Sequence, residues 1–192
     1  QVVPRLRKDP DRILLTRSLH CTGIGESDLA GLLGDLMSRD RNPLVGTNAG
    51  NGQVTCRLRY EGGGDPDSAR RAIDDTEAAI RAVAGDYIFG RDEDTIAAVV
   101  LDMVRARRQT LGVVESCTGG LLGGAITAVS GSSDAFVGGL QTYTNQLKTT
   151  LARVPAQLIE QHGAVSAPCA RAMAEGGAAA LGCDWCLSIT GI

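Results

Sequence analysis

Ser116 and Lys148 are the two residues whose types and spacing could do chemistry together. Ser116 stands in the turn Glu115-Ser116-Cys117-Thr118-Gly119-Gly120, and Lys148 follows it by 32 residues. Lysine is scarce here. Of 19 basic residues 17 are arginine, and only Lys8 and Lys148 are lysine. Where positive charge alone is needed, this composition supplies arginine. A guanidinium keeps its proton in a protein, whereas a desolvated ammonium can give it up. Lys148 therefore reads as a base, and Ser116 as the nucleophile it would activate. A lysine kept at the surface without a role is the plainer alternative. Histidine offers no rival base. His20 lies far away in the chain, and His162 directly precedes Gly163 at a predicted helix end, where it complements the macrodipole. Tyr143, five residues before Lys148, could add a hydroxyl to the pair or simply stand half-buried at a rim.

The turn itself fits such a role. An apolar strand, then Ser116, then Gly119-Gly120, then a helix would put a hydroxyl at the carboxyl edge of a sheet, where open α/β sheets bind ligands. Free N–H groups at a helix start can hold a phosphate or an oxyanion, and the glycines let a ligand approach the backbone. The same residues would also serve as an ordinary helix cap with glycines for packing. The sequence Gly119-Gly120-Leu121-Leu122-Gly123-Gly124 is neither a dinucleotide fingerprint nor a P-loop, and the turn is not the GxSxG elbow. Cys117 is an alternative nucleophile, but neighbouring side chains point apart, so Ser116 and Cys117 do not share the work.

The elements that must position these residues form two segments. Residues 1–12 are charged, hold Pro4 and Pro10, and read as a connector from a preceding domain. Residues 13–91 read as a small α/β unit. Its elements are a strand from Ile13, a helix capped by Ser27 and stopped by Asn42-Pro43, an alternating strand through Val54, Cys56, Leu58 and Tyr60, and a helix opened by Asp65-Pro66. Residues 92–192 alternate helices and strands: a helix over 94–108, a strand over 110–114, the Ser116 turn, and a helix over 121–129. A strand over 136–143, a helix with Lys148 capped by Asn145, helices opened by Pro155 and Ser166, and a last strand reaching Thr190 complete the set. Such alternation predicts an α/β domain with a mostly parallel sheet.

Composition bounds the function. The 192 residues are 43% hydrophobic, with net charge −3, pI near 5.4 and 3% aromatics. Neither a basic face nor a stacking platform for nucleic acid is expected, and no apolar run is long enough to span a bilayer. Six cysteines, including Cys183 and Cys186 in a CxxC without a second pair, read as reduced structural residues of a cytoplasmic protein, and no metal site is expected. With no initiator Met and an end directly after a strand, the chain reads as an internal piece of a longer one.

The segments Val114-Glu115-Ser116-Cys117-Thr118-Gly119-Gly120-Leu121, Gly131-Ser132-Ser133, Gly139 to Asn145 with Lys148, Gly163-Ala164-Val165-Ser166, Met173-Ala174 and Ile189-Thr190-Gly191-Ile192 resemble the CinA C-terminal domain, the PncC-type nicotinamide-nucleotide amidohydrolase. Gly23-Ile24-Gly25-Glu26-Ser27, Asn42-Pro43 and Gly85 to Gly90 resemble the KH-type domain that precedes it in that family. The resemblance implies a small α+β KH-like domain followed by a three-layer α/β/α domain. It also implies hydrolysis of nicotinamide mononucleotide to nicotinate mononucleotide and ammonia. Carried over, Ser116 would be the nucleophile, Lys148 its base, Tyr143 a supporting hydroxyl and Thr190 a hydroxyl on the substrate side. Thr118, Gly119, Gly120 and the loop with Gly131 and Ser133 would shape the pocket. It implies a nucleotide as partner, a homo-oligomer, and no cofactor in this segment. Family members continue past Thr-Gly-Ile. A GxxG loop of the RNA-binding kind is not offered by Gly31-Leu32-Leu33-Gly34, which reads as part of a packed helix face. A scaffolding role in a competence or damage response is the alternative to catalysis.

Overall fold

The computed structural model describes residues 12–192, so the connector expected over 1–12 lies, Arg12 apart, outside the described residues. The chain divides into two compact units between Thr95 and Ile96.

The first unit is a four-stranded antiparallel sheet with two helices. Its strands are β1 (Ile13–Cys21), β2 (Leu44–Gly50), β3 (Gln53–Gly62) and β4 (Ile88–Arg91), in the order β2-β3-β1-β4. Alternation puts Leu19 and Cys21 of β1 and Val54, Cys56 and Leu58 of β3 on one face. There they meet Leu29 and Leu33 of α1 (Glu26–Leu33) and Ile73 and Ile80 of α2 (Pro66–Ala84). Each such side chain contributes about 1.5–3 kcal/mol on full burial. α2 starts as its residues dictate: the Asp65 carboxylate accepts from the N–H groups of Asp67 and Ser68, with Pro66 in the first turn. The Ser68 hydroxyl, followed by those backbone bonds, holds Asp65 below the ordinary carboxylate range. Arg17 of β1 donates to Asp74 and Glu77 of α2 at 2.6 and 2.8 Å, fixing helix on sheet.

Three local expectations differ here. The cap of α1 is Gly25, not Ser27, and the helix stops at Gly34, whose φ of +46° ends it before a short 3-10 turn over Gly34–Met37. Gly31 and Gly34 therefore do not pack a helix face into the core: both are exposed, and a Cβ at either would meet open space. The edge strands β2 and β4 have no strong sequence signal, since β2 buries only Val45 and carries Gly46, Asn48 and Gly50.

The second unit has three layers. α3 (Ile96–Ala106) and α4 (Leu121–Thr127) cover one face of a parallel sheet made of β5 (Leu111–Glu115), β6 (Phe136–Gln141) and β7 (Trp185–Ile189). α5 (Asn145–Thr150), α6 (Ala156–His162) and α7 (Ala167–Leu181) complete the unit. The strand order is β6-β5-β7, with all pairs parallel. One core joins Leu101 and Val104 of α3 to Leu111, Val113 and Ile126, and the other joins Val114 to Ala152, Val154, Cys169 and Met173. All five residues of β5 are buried. α7 lies close on this sheet because Gly177 has no side chain: a Cβ there would sit 2.2 Å from Val114 Cγ2. No helix among the described residues is long and apolar enough to cross a membrane, and no cluster of His, Cys, Asp or Glu suited to a metal occurs among them.

Candidate active site

Ser116 follows the last residue of the central strand. Its N–H continues the ladder by donating to the carbonyl of Ile189, at 3.0 Å, beyond which the chain turns. Gly119 and Gly120 take φ of +60° and +100°, which β-carbon-bearing residues avoid. At Gly120 a Cβ would also come within 2.9 Å of Gln141 Nε2.

Lys148 reaches this turn from α5. The cap of α5 is the Thr144 hydroxyl, which accepts from the Leu147 N–H, where Asn145 was expected. Lys148 Nζ donates to Ser116 Oγ at 2.9 Å and to the Thr142 carbonyl at 3.0 Å. Lys148 is 2% and Ser116 5% exposed. No carboxylate pairs with this amine among the described residues, and both its partners are neutral. At 2.9 Å the proton can be shared in either sense: with the amine neutral, the hydroxyl donates.

The turn is fixed by a carboxylate that the sequence reading left without a role. Glu115, 2% exposed, accepts from the N–H groups of Gly120, Leu122 and Gly123 at 3.1, 3.0 and 2.7 Å. Burial alone would push its carboxyl up, but those three donors and the nearby Thr118 hydroxyl outweigh it and hold the group below its ordinary value. The N–H groups at the start of α4 are thus taken by the protein's own anion. They are not free for a phosphate or an oxyanion, as the strand-turn-helix pattern led one to expect. The Gly119 and Leu121 N–H groups are also taken, by the Ser116 and Thr118 carbonyls. The amides of Cys117 and Thr118 have no acceptor among the described residues, so within the 116–123 turn these two donors are left for an oxyanion.

Of the remaining expected site residues, some join the pair and some do not. Thr118 is next to it. Its Oγ1 is buried and lies close enough to Glu115 to influence it, yet outside regular hydrogen-bond geometry. Tyr143 is 74% exposed and its hydroxyl bonds neither Ser116 nor Lys148. Thr190 Oγ1 donates to the Ala164 carbonyl at 2.8 Å, which ties the end of β7 to the loop before α7. Gly131 and Ser133 are at the other end of the sheet. They precede β6, whose Phe136 pairs with Leu111, while Ser116 follows Glu115, which pairs with Gln141. A five-residue strand, roughly 15 Å long, separates the two ends. The loop is held there by Arg105, which donates to the Gly131 carbonyl at 2.6 Å. Parallel register therefore keeps Gly131 and Ser133 out of the Ser116 site in this chain. Besides Glu115, the sequence reading also missed Thr142, fully buried, whose carbonyl orients the lysine. An acidic residue ending an apolar strand before a glycine turn was the available signal for Glu115.

Two surface concavities lie away from this site. One, of about 540 Å³, is on the open face of the first unit's sheet near Ser18, His20, Thr55 and Arg57. The other, of about 370 Å³, runs beside β7 between Met103, Arg107 and Trp185.

Residues 93–192 match the profile of the CinA C-terminal domain, and residues 16–90 match that of the damage-inducible protein CinA KH domain. A CinA-like protein of Synechococcus sp. (strain CC9902) is 48% identical over 178 residues, covering 93% of this chain and 42% of that protein. A putative competence-damage inducible protein of Moorella thermoacetica is 42% identical over 194 residues, covering 100% of this chain and 46% of its own length. The chain thus spans less than half the length of these relatives. Among solved structures, a competence-damaged protein (CinA) superfamily protein from Escherichia coli is 33% identical, with 52% of this chain and 60% of that one covered and a TM-score of 0.49. Both matched profiles and the Synechococcus and Moorella relatives agree: the chain belongs to the CinA family, with a KH domain followed by the CinA C-terminal domain.

Proposed function

We propose that the second unit is an amidase that deamidates nicotinamide mononucleotide, giving nicotinate mononucleotide and ammonia. The observation that carries this reading is the buried contact between Lys148 Nζ and Ser116 Oγ, 2.9 Å apart and without a counter-ion among the described residues. In the reaction the neutral amine takes the Ser116 proton while Oγ attacks the carboxamide carbon. The Cys117 and Thr118 amides donate to the oxyanion, a contribution of about 3–4 kcal/mol where such donors are preorganised. The lysine then returns its proton to the departing nitrogen, and ammonia leaves. Water, deprotonated by the same amine, hydrolyses the ester on Ser116 and frees the acid.

Nothing in this sequence of steps calls on a metal or a cofactor. A nucleotide partner, a homo-oligomeric state and a cytoplasmic setting go with the same reading. The test is ammonia release from nicotinamide mononucleotide by the protein and by its Ser116→Ala and Lys148→Arg variants. Both variants are expected to be inactive, the second because it keeps the charge but removes the base. Near-full activity in Lys148→Arg overturns the mechanism.

A further inference from the structure

The carboxylate of Glu115 has an uncommon position. It is buried, it is one residue before the proposed nucleophile, and it bonds the backbone on the far side of the turn. Its three donors, Gly120, Leu122 and Gly123, fold residues 116–123 back on the end of β5. The same residue's main chain ties down the other half of the pair. Its carbonyl accepts from the Thr142 N–H at 2.7 Å and from Thr142 Oγ1 at 3.3 Å, and the Thr142 carbonyl in turn receives Lys148 Nζ. One residue thus holds the serine turn through its side chain and the lysine through its backbone. The space is fitted to it: a Cβ on Gly123 would come within 3.3 Å of Glu115 Oε1.

We propose that Glu115 is the positioning residue of this site, whose carboxylate closes the 116–123 turn so that the Cys117 and Thr118 amides stay unbonded and directed at the reacting oxygen. The anion does two things at once. It satisfies the N–H groups of Gly120, Leu122 and Gly123 at the start of α4, which have no partner within the helix. Within residues 116–123 this leaves the Cys117 and Thr118 amides free to bind charge that develops in the reaction, the preorganisation that electrostatic catalysis requires. Substrate phosphate is excluded from the start of α4 for the same reason, so it must bind elsewhere.

This inference rests on the serine amidase reading, and its test is built to separate the two. Glu115→Gln keeps the shape but turns an amide group toward a backbone N–H. Glu115→Asp keeps the charge but withdraws the oxygens by one methylene. Each variant is measured for ammonia release from nicotinamide mononucleotide, for thermal unfolding, and for the rate at which a fluorophosphonate labels Ser116. The expected result is a folded Glu115→Gln protein whose kcat falls at least tenfold with KM within about threefold, a parallel fall in labelling rate, and partial recovery in Glu115→Asp. A folded variant with wild-type kcat and labelling overturns the proposal, as does a rise in KM at unchanged kcat. Failure of both variants to fold overturns it too, since Glu115 is then a purely structural residue. If the wild type is labelled at Ser116 but releases no ammonia, the amidase reading falls and the labelling rates alone decide the role of Glu115. A wild type that is neither labelled nor active sinks both.

Discussion

Replacing Lys148 by Met separates the chemistry of this site from its contribution to stability. The two side chains are close in length, so the buried space that Lys148 occupies stays filled. Two hydrogen bonds are lost, to Ser116 Oγ and to the Thr142 carbonyl. A buried acceptor left unpaired costs about 1–3 kcal/mol. Against that, an amine that is 2% exposed and lacks a carboxylate partner is expensive to keep, and its removal returns an amount of order several kcal/mol whenever the charged form is present. The two effects offset, so the thermal midpoint is expected to stay put or rise. Activity behaves otherwise. Loss of a general base lowers the rate about 10²–10⁴-fold, roughly 3–5 kcal/mol of barrier. Ammonia release and a melting curve on the same sample give both readings. The reasoning is refuted if Lys148→Met keeps more than a tenth of wild-type activity. It is refuted equally if activity falls only in proportion to a lowered folded fraction, because Lys148 would then be a structural residue.

Other outcomes follow from the same geometry. Cys117→Ala should retain most of the activity, since the thiol is exposed and not bonded to Lys148; inactivity in a folded variant would move the nucleophile to Cys117. Gly176→Ala should destabilise the second unit by about 3 kcal/mol or more, measured by denaturant unfolding, because its Cβ would fall 1.7 Å from the Ala152 carbonyl oxygen. The Glu115 carboxyl is held below its ordinary value, so the unfolded chain takes up its proton before the folded one does. Its stabilisation is complete above the ordinary carboxylate range and is lost as pH falls through the folded value. Acid unfolding of Glu115→Gln should accordingly show a smaller loss of stability below about pH 4.5 than wild type does. In the first unit, burial pushes Cys56 up to about 12, with Cys21 nearby adding to it, so iodoacetamide at pH 8 should modify Cys117 long before Cys56, as peptide mass spectrometry would show.

The parts of this protein legible in its sequence are those with local causes. α2 was marked by Asp65-Pro66 and a repeating apolar stripe, α7 by Ser166, and β3 by strict alternation through Val54, Cys56 and Leu58. The pairing of Ser116 with Lys148 was legible because lysine is so rare here that its retention at one position carried information. Features decided by tertiary packing were not legible. β2 and β4 are strands because β3 and β1 supply their hydrogen bonds, not because their own residues insist on it. Whether a helix start is open or occupied depends on which carboxylate reaches it, and only the fold brings Glu115 to Gly120, Leu122 and Gly123. The separation of Gly131 and Ser133 from Ser116 follows from parallel register, which no residue spells out alone.

The short helix that carries Lys148 governs how the Ser116–Lys148 pair would come apart on warming. Ser116 hangs from the central strand, buried along its whole length, whereas the amine rides on six residues held by one threonine cap and their neighbours' packing. An isolated helix of that size is not stable alone, and segments with few contacts open at lower free energy than the core does. Heat should therefore part the two groups while the sheet is still intact, so that inactivation on warming comes before cooperative unfolding.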